Sequence, residues 1–202
     1  MKVTVEQTID WSAALQAARL TTAQNKRNPA WDDFLYAPSN RWILKMLFAE
    51  HSPIRRVRYW IEIHDVKRWV VGHLIRHKGG VEPYDTEPFV ATQRSDRTGI
   101  DRDQLPQGES SVVGFDLNAQ ALMAMSRSRL CRKASLETRV AWGNVRDAML
   151  EVDAEMAMMM VPKCVHQGVC PEMAPCGYSE LAEGIAERRV YLEMLEEIRR
   201  PA

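Results

Sequence analysis

The sequence predicts an α+β fold in which a central, mainly antiparallel sheet carries flanking helices. Three observations lead there. Short runs at 2–9, 57–63 and 110–117 have the alternation or the apolar density of strands. Longer runs between and after them repeat apolar residues at helical spacing. The two kinds of element are interspersed without the regular strand–helix–strand order of a parallel sheet.

In "KVTVEQTI", Val3 and Val5 alternate with polar neighbours, as a strand requires. Residues 11–20 read as a helix, followed by a polar stretch containing Pro29. Ser39 or Asn40 can cap a helix through "RWILKMLFAEH", and Pro53 favours a stop after His51. The clearest strand is "VRYWIEI": Val57, Tyr59, Ile61 and Ile63 share one face, and Arg58, Trp60 and Glu62 the other. Asp65 can cap the next helix, "VKRWVVGHLIRHK", whose stripe contains Trp69, Val70, Leu74 and Ile75.

Residues 79–107 then read as a long loop, a length usually associated with function or mobility. "SSVVGFDL" is a further strand. Helix dominates 118–160, with a break expected near Trp142–Gly143, and the Met-rich "MLEVDAEMAMMM" suits a core or a subunit interface. Residues 161–178 have turn composition and 178–200 form a last amphipathic helix. The expected division is a main unit over 1–160 and a Cys-rich segment plus helix over 161–202.

The 202 residues carry 27 Lys+Arg against 27 Asp+Glu, so no net positive charge favours nucleic acid or a membrane surface as partner. No apolar run approaches the ~20 residues of a bilayer span, and "MKVTVEQTIDW" lacks the order of a secretory leader. The expected location is the cytoplasm.

Against that neutral background, donors for anions gather around one loop. Arg76, His77 and Lys78 end a helix, a position where cations also simply complement the helix dipole. Arg94, Ser95 and Arg97 lie beyond the loop, and arginine's planar fork suits phosphate oxygens. Asn118 and Arg129 are 129 − 118 = 11 residues apart, about three helical turns, so an unbroken helix places them on one face.

These residues stand in an order that resembles the flavin-dependent thymidylate synthases, whose signature is RHRxxSxxxxSxR. Glu50-His51 precedes the strand, Arg76-His77-Lys78 follows 76 − 51 = 25 residues after His51, and Ser95-Asp96-Arg97 matches the closing Ser-x-Arg. "RLCRKASLETR", starting at Arg129, is similar to the family's substrate helix, which reads like "RLxxxAQWEIR". The resemblance spans about residues 40–155. The chain departs from the pattern at Lys78 for Arg, Val81 for Ser and Gln93 for Glu, and in a longer loop.

The resemblance implies a homotetramer with FAD held between subunits, and the methylation of dUMP to dTMP with methylenetetrahydrofolate and NADPH as cosubstrates. It assigns His51, Arg76, His77, Lys78 and Asn118 to the flavin, and Ser95, Arg97 and Arg129 to the nucleotide and its developing charge. The altered loop motivates an alternative product, such as a hydroxymethylated pyrimidine nucleotide. A catalytically silent oligomer that binds a metal or a partner is the reading from another class.

Cysteine usage raises a separate question. Of the four cysteines, Cys164, Cys170 and Cys176 fall within thirteen residues, with His166 among them. Thiolates and imidazole suit zinc, and three thiolates suit an iron–sulfur cluster. The C-x5-C-x5-C spacing is not that of a paired zinc knuckle, so reduced, partly buried thiols are the alternative.

Overall fold

Strand β2 (Arg58–Lys67) occupies the middle of the molecule, and its alternation explains why. Tyr59, Ile61 and Ile63 are fully buried, as is Val57 just before the strand. Three strands join it in a four-stranded sheet of order β1-β2-β4-β3, every neighbour antiparallel. They are β1 (Lys2–Ile9), β3 (Thr86–Val90) and β4 (Ser110–Asn118). This is a computed structural model, and it describes residues 1–22, 37–77 and 86–200, with the side chain of His77 left aside.

The helices cover one face of the sheet. Val113, Phe115 and Leu117 of β4 continue the buried face of β2, and Phe115 meets the fully buried Trp142 edge-on at 6.2 Å. Trp142 belongs to α6 (Leu136–Val152), which follows α5 (Ala119–Arg129). On the opposite face Trp60 stacks at 5.4 Å on the half-exposed Phe89, and its indole donates to Glu62 at 2.8 Å. Gly114 lies beneath that indole, where a Cβ would come within 2.9 Å of the ring.

The remaining described helices are α1 (Trp11–Thr21), α2 (Asn40–Ala49), α3 (Arg68–Leu74), α4 (Ser95–Thr98), α7 (Ala154–Met159), α8 (Lys163–Gln167) and α9 (Ala182–Arg199). Ser39, not Asn40, caps α2, and the helix ends earlier than Pro53 demands because Glu50 turns left-handed at φ 48°. Asp65 caps nothing. It sits at φ 57° in an irregularity of the β2–β4 register, and β2 runs on to Lys67 where a helix was expected.

Three further expectations are corrected. The long loop contains β3, an edge strand that tolerates Pro88, and α4. The long helical stretch breaks at 130–135 and at Asp153, not at Trp142–Gly143, which lies inside α6. Nor is the Cys-rich segment all turn, since α8 occupies 163–167.

Asp153 explains the second break. Its carboxylate is buried, caps α7 through Met156 N at 2.9 Å, and accepts from Trp11 Nε1 at 2.6 Å, Gln7 Nε2 at 3.0 Å and Tyr59 OH at 2.7 Å. One side chain thereby joins β1, α1 and β2 to the α6–α7 junction. A buried carboxylate is tolerable only with such a donor set. No described helix is long and apolar enough to cross a membrane.

Candidate functional site

Two helix ends meet where α5 gives way to α6. Ser126 Oγ accepts from Trp142 Nε1 at 2.9 Å, so the two helices touch at that level. Arg129 lies one turn further along α5 and Arg139 about one turn back along α6, which brings both toward the 130–135 connection. Thr138 Oγ1 lies 3.3 Å from His73 Nδ1, which adds the end of α3 and the 3-10 turn Ile75–His77 to the same region.

The guanidiniums here are poorly compensated. Arg129 is half-buried, and among the described residues its Nε has no hydrogen-bond partner; the Nε of Arg139 is likewise buried and unpartnered among them. Burial lowers the Arg129 pKa from its usual range, and the positive charge of Arg76 lowers it further. Unpaired buried donors beside a like charge are costly in a free protein and become favourable when an anion arrives.

Of the residues expected from sequence, Arg76 and Arg129 are therefore brought together, with Arg76 exposed at its turn. Asn118 is buried at the head of α5, where its Oδ1 accepts from Ala121 N at 2.8 Å. The helix from Asn118 to Arg129 is unbroken. His51 is exposed and leads into the 3-10 turn Ser52–Arg56 without a side-chain cap. Ser95 and Arg97 are exposed on α4, and among the described residues no hydrogen bond or ion pair joins them to Arg129. Arg94 is held by both oxygens of Asp96, at 3.0 and 2.7 Å. Lys78 and Val81 lie outside the described residues, and His77 is described only as the end of its turn.

Glu50 enters a different network. It takes two hydrogen bonds from Arg127, one of them at 3.4 Å, and lies 3.6 Å from His166 Nε2. The other imidazole nitrogen is 2.9 Å from Tyr191 OH. Burial lowers the His166 pKa, and the charge of Arg127 adds to that. His166 thus links α8 to α2, α5 and α9 and faces away from a thiol set. Among the described residues no three His, Cys, Asp or Glu side chains are grouped so as to hold one metal ion.

Sequence reasoning passed over Arg139, although it closes the quoted segment "RLCRKASLETR". Its signal was that very place: a second guanidinium at the end of a segment already singled out for an anion.

The architecture is a flavin-dependent thymidylate synthase-like fold: an antiparallel sheet with flanking helices and cationic residues gathered at two helix ends. Among solved structures, the chain is similar to the flavin-dependent thymidylate synthase ThyX of Helicobacter pylori, complexed with FAD and dUMP. The TM-score is 0.56 at 15% identity, over 79% of this chain and 98% of that one. It is also similar to the UMP/dUMP methylase PolB of Streptomyces cacaoi bound with 5-Br dUMP, at TM-score 0.53 and 17% identity, over 78% of this chain and 94% of that one. No protein-family model matches the chain, and no curated protein matches it by sequence.

Proposed function

We propose that this protein is a flavin-dependent enzyme that modifies C5 of a pyrimidine nucleotide, with dUMP to dTMP as its reaction. Methylenetetrahydrofolate and NADPH are the cosubstrates, and the active form is a cytoplasmic homotetramer. The observation that carries the reading is the half-buried Arg129, its Nε unpaired among the described residues and its charge opposed by Arg76, in a fold shared with proteins solved with dUMP or 5-Br dUMP.

The residues present fit an anionic cofactor. Arg76 is exposed within its 3-10 turn and His51 is exposed ahead of β2, so both can face the diphosphate of FAD. His77, Lys78 and Asn118 complete the assignment to the flavin. When bound, the flavin supplies the hydride that completes transfer of the one-carbon unit. The chain's own work is to bind and orient. Arg129 holds the monophosphate and Arg139 adds a second donor, each pairing a nitrogen that is otherwise buried without a partner. Ser95 and Arg97 sit apart on an exposed helix, an arrangement suited to reaching the nucleotide of a neighbouring subunit.

The test is the visible spectrum of the purified protein and of its acid supernatant, followed by titration with dUMP. A released flavin and a dUMP-dependent spectral change are expected. A protein that neither contains nor takes up FAD would exclude the reading.

A further inference from the structure

Residues 169–176, in the connection between α8 and α9, form no helix or strand. Among the described residues, none from 169 to 176 donates a hydrogen bond to another backbone group in this connection. Two of their apolar side chains point outward: Val169 is 65% exposed and Met173 fully so. Their cysteines do the reverse, since Cys170 and Cys176 are half-buried and Cys170 packs on the core that includes Cys164. A segment that turns apolar groups to solvent and thiols inward is organised around the thiols.

A fourth cysteine meets them from another part of the chain. Cys131 lies just beyond α5, in a turn closed by Ala134 N to its carbonyl at 2.9 Å. The next residue, Arg132, stacks 4.7 Å over the ring of Tyr178, two residues after Cys176. Cys131, Cys170 and Cys176 each act electrostatically on Cys164, and Cys170 and Cys176 act on Cys131. All four are free. His166, the ligand suggested by spacing, faces Tyr191 and Glu50.

We propose that Cys131, Cys164, Cys170 and Cys176 are the ligands of an iron–sulfur cluster seated between the end of α5, helix α8 and the loop leading to α9. Zinc bound at about 2.3 Å by four sulfurs would draw them to within about 3.8 Å of one another. Here the thiols share a region without three of them surrounding one ion. A cluster binds each thiolate at a different iron and so accepts a wider set. Ligation joins the turn after α5 to residues 169–176, which donate no backbone hydrogen bond of their own. The site is independent of the flavin assignment, although Cys131 follows Arg129 by two residues.

The test is anaerobic reconstitution of the full chain with ferrous iron and sulfide, then desalting and assay of iron, acid-labile sulfide and zinc, with Mössbauer spectroscopy. Iron and sulfide in equal amounts are expected. Cys131→Ser and Cys176→Ser should both reduce them to background, while His166→Gln retains them. Protection of all four thiols from alkylation in the loaded wild-type protein gives a readout that needs no variant to fold. Zinc in place of iron, or unprotected thiols without metal, overturns the proposal. Because iron and sulfide are assayed directly, a failure to bind FAD leaves the result readable.

Discussion

Arg129 and Arg76 carry like charges into one region, where burial and then the charge of Arg76 lower the Arg129 pKa from its usual range. Such an arrangement separates stability from binding. Arg129→Ala should weaken dUMP binding by about tenfold to a hundredfold, the range for a charged hydrogen bond. Arg76→Ala should also weaken anion binding, yet it relieves repulsion and leaves the ligand-free protein as stable or slightly more so, by at most about 0.5 kcal/mol. Calorimetric titration paired with thermal unfolding measures both. Unchanged affinity in Arg129→Ala removes that residue from the site.

Arg139 offers a second, separable test. Its buried Nε finds no partner among the described residues, so Arg139→Gln should cost little in folding. Nucleotide affinity should fall by about tenfold. A loss of stability with intact binding would assign the side chain to packing alone.

Asp153 should behave in the opposite way. Replacing it by Ala strands the donors of Trp11, Gln7 and Tyr59 and uncaps α7. Each orphaned buried donor costs about 1–3 kcal/mol, so a total of about 3–5 kcal/mol is expected with partial relaxation. Asp153→Asn keeps one acceptor and should cost less. Urea unfolding that places the Ala variant within about 1 kcal/mol of wild type would show that water or neighbours satisfy those donors.

What the sequence disclosed follows from which interactions are local. β2 was legible because burial alternates residue by residue, and Tyr59, Ile61 and Ile63 are all buried as their spacing requires. β3 was not, because five residues with Pro88 carry little pattern, and it is the pairing with β4 that makes them a strand. Asp65 looked like a cap because its side chain suits one; the register irregularity of β2 against β4 is a long-range property. Arg129 could be read from its motif, whereas its unpaired Nε and its encounter with Arg76 required the packing of α3, α5 and α6. Cys131 is 164 − 131 = 33 residues from the next cysteine, and only the turn after α5 brings it back.

Tyr191 provides a prediction on the alkaline side. It is buried, and burial pushes its phenol from 10.0 up to about 12, with Glu50 adding to the rise and Arg127 and Arg188 opposing it. The folded protein therefore keeps this proton at a pH where the unfolded chain has lost it. The associated stability is complete below pH 10 and is lost as pH rises toward 12. The slope from one such group is at most about 1.4 kcal/mol per pH unit. Tyr191→Phe removes that contribution, while Tyr59 and Tyr178, also raised, continue to titrate. Urea midpoints recorded from pH 9 upward should fall less steeply in the variant than in the wild type. Parallel curves would mean that the phenol gains access to water before it ionises, and that the contacts of α9 with α2 and α8 loosen first.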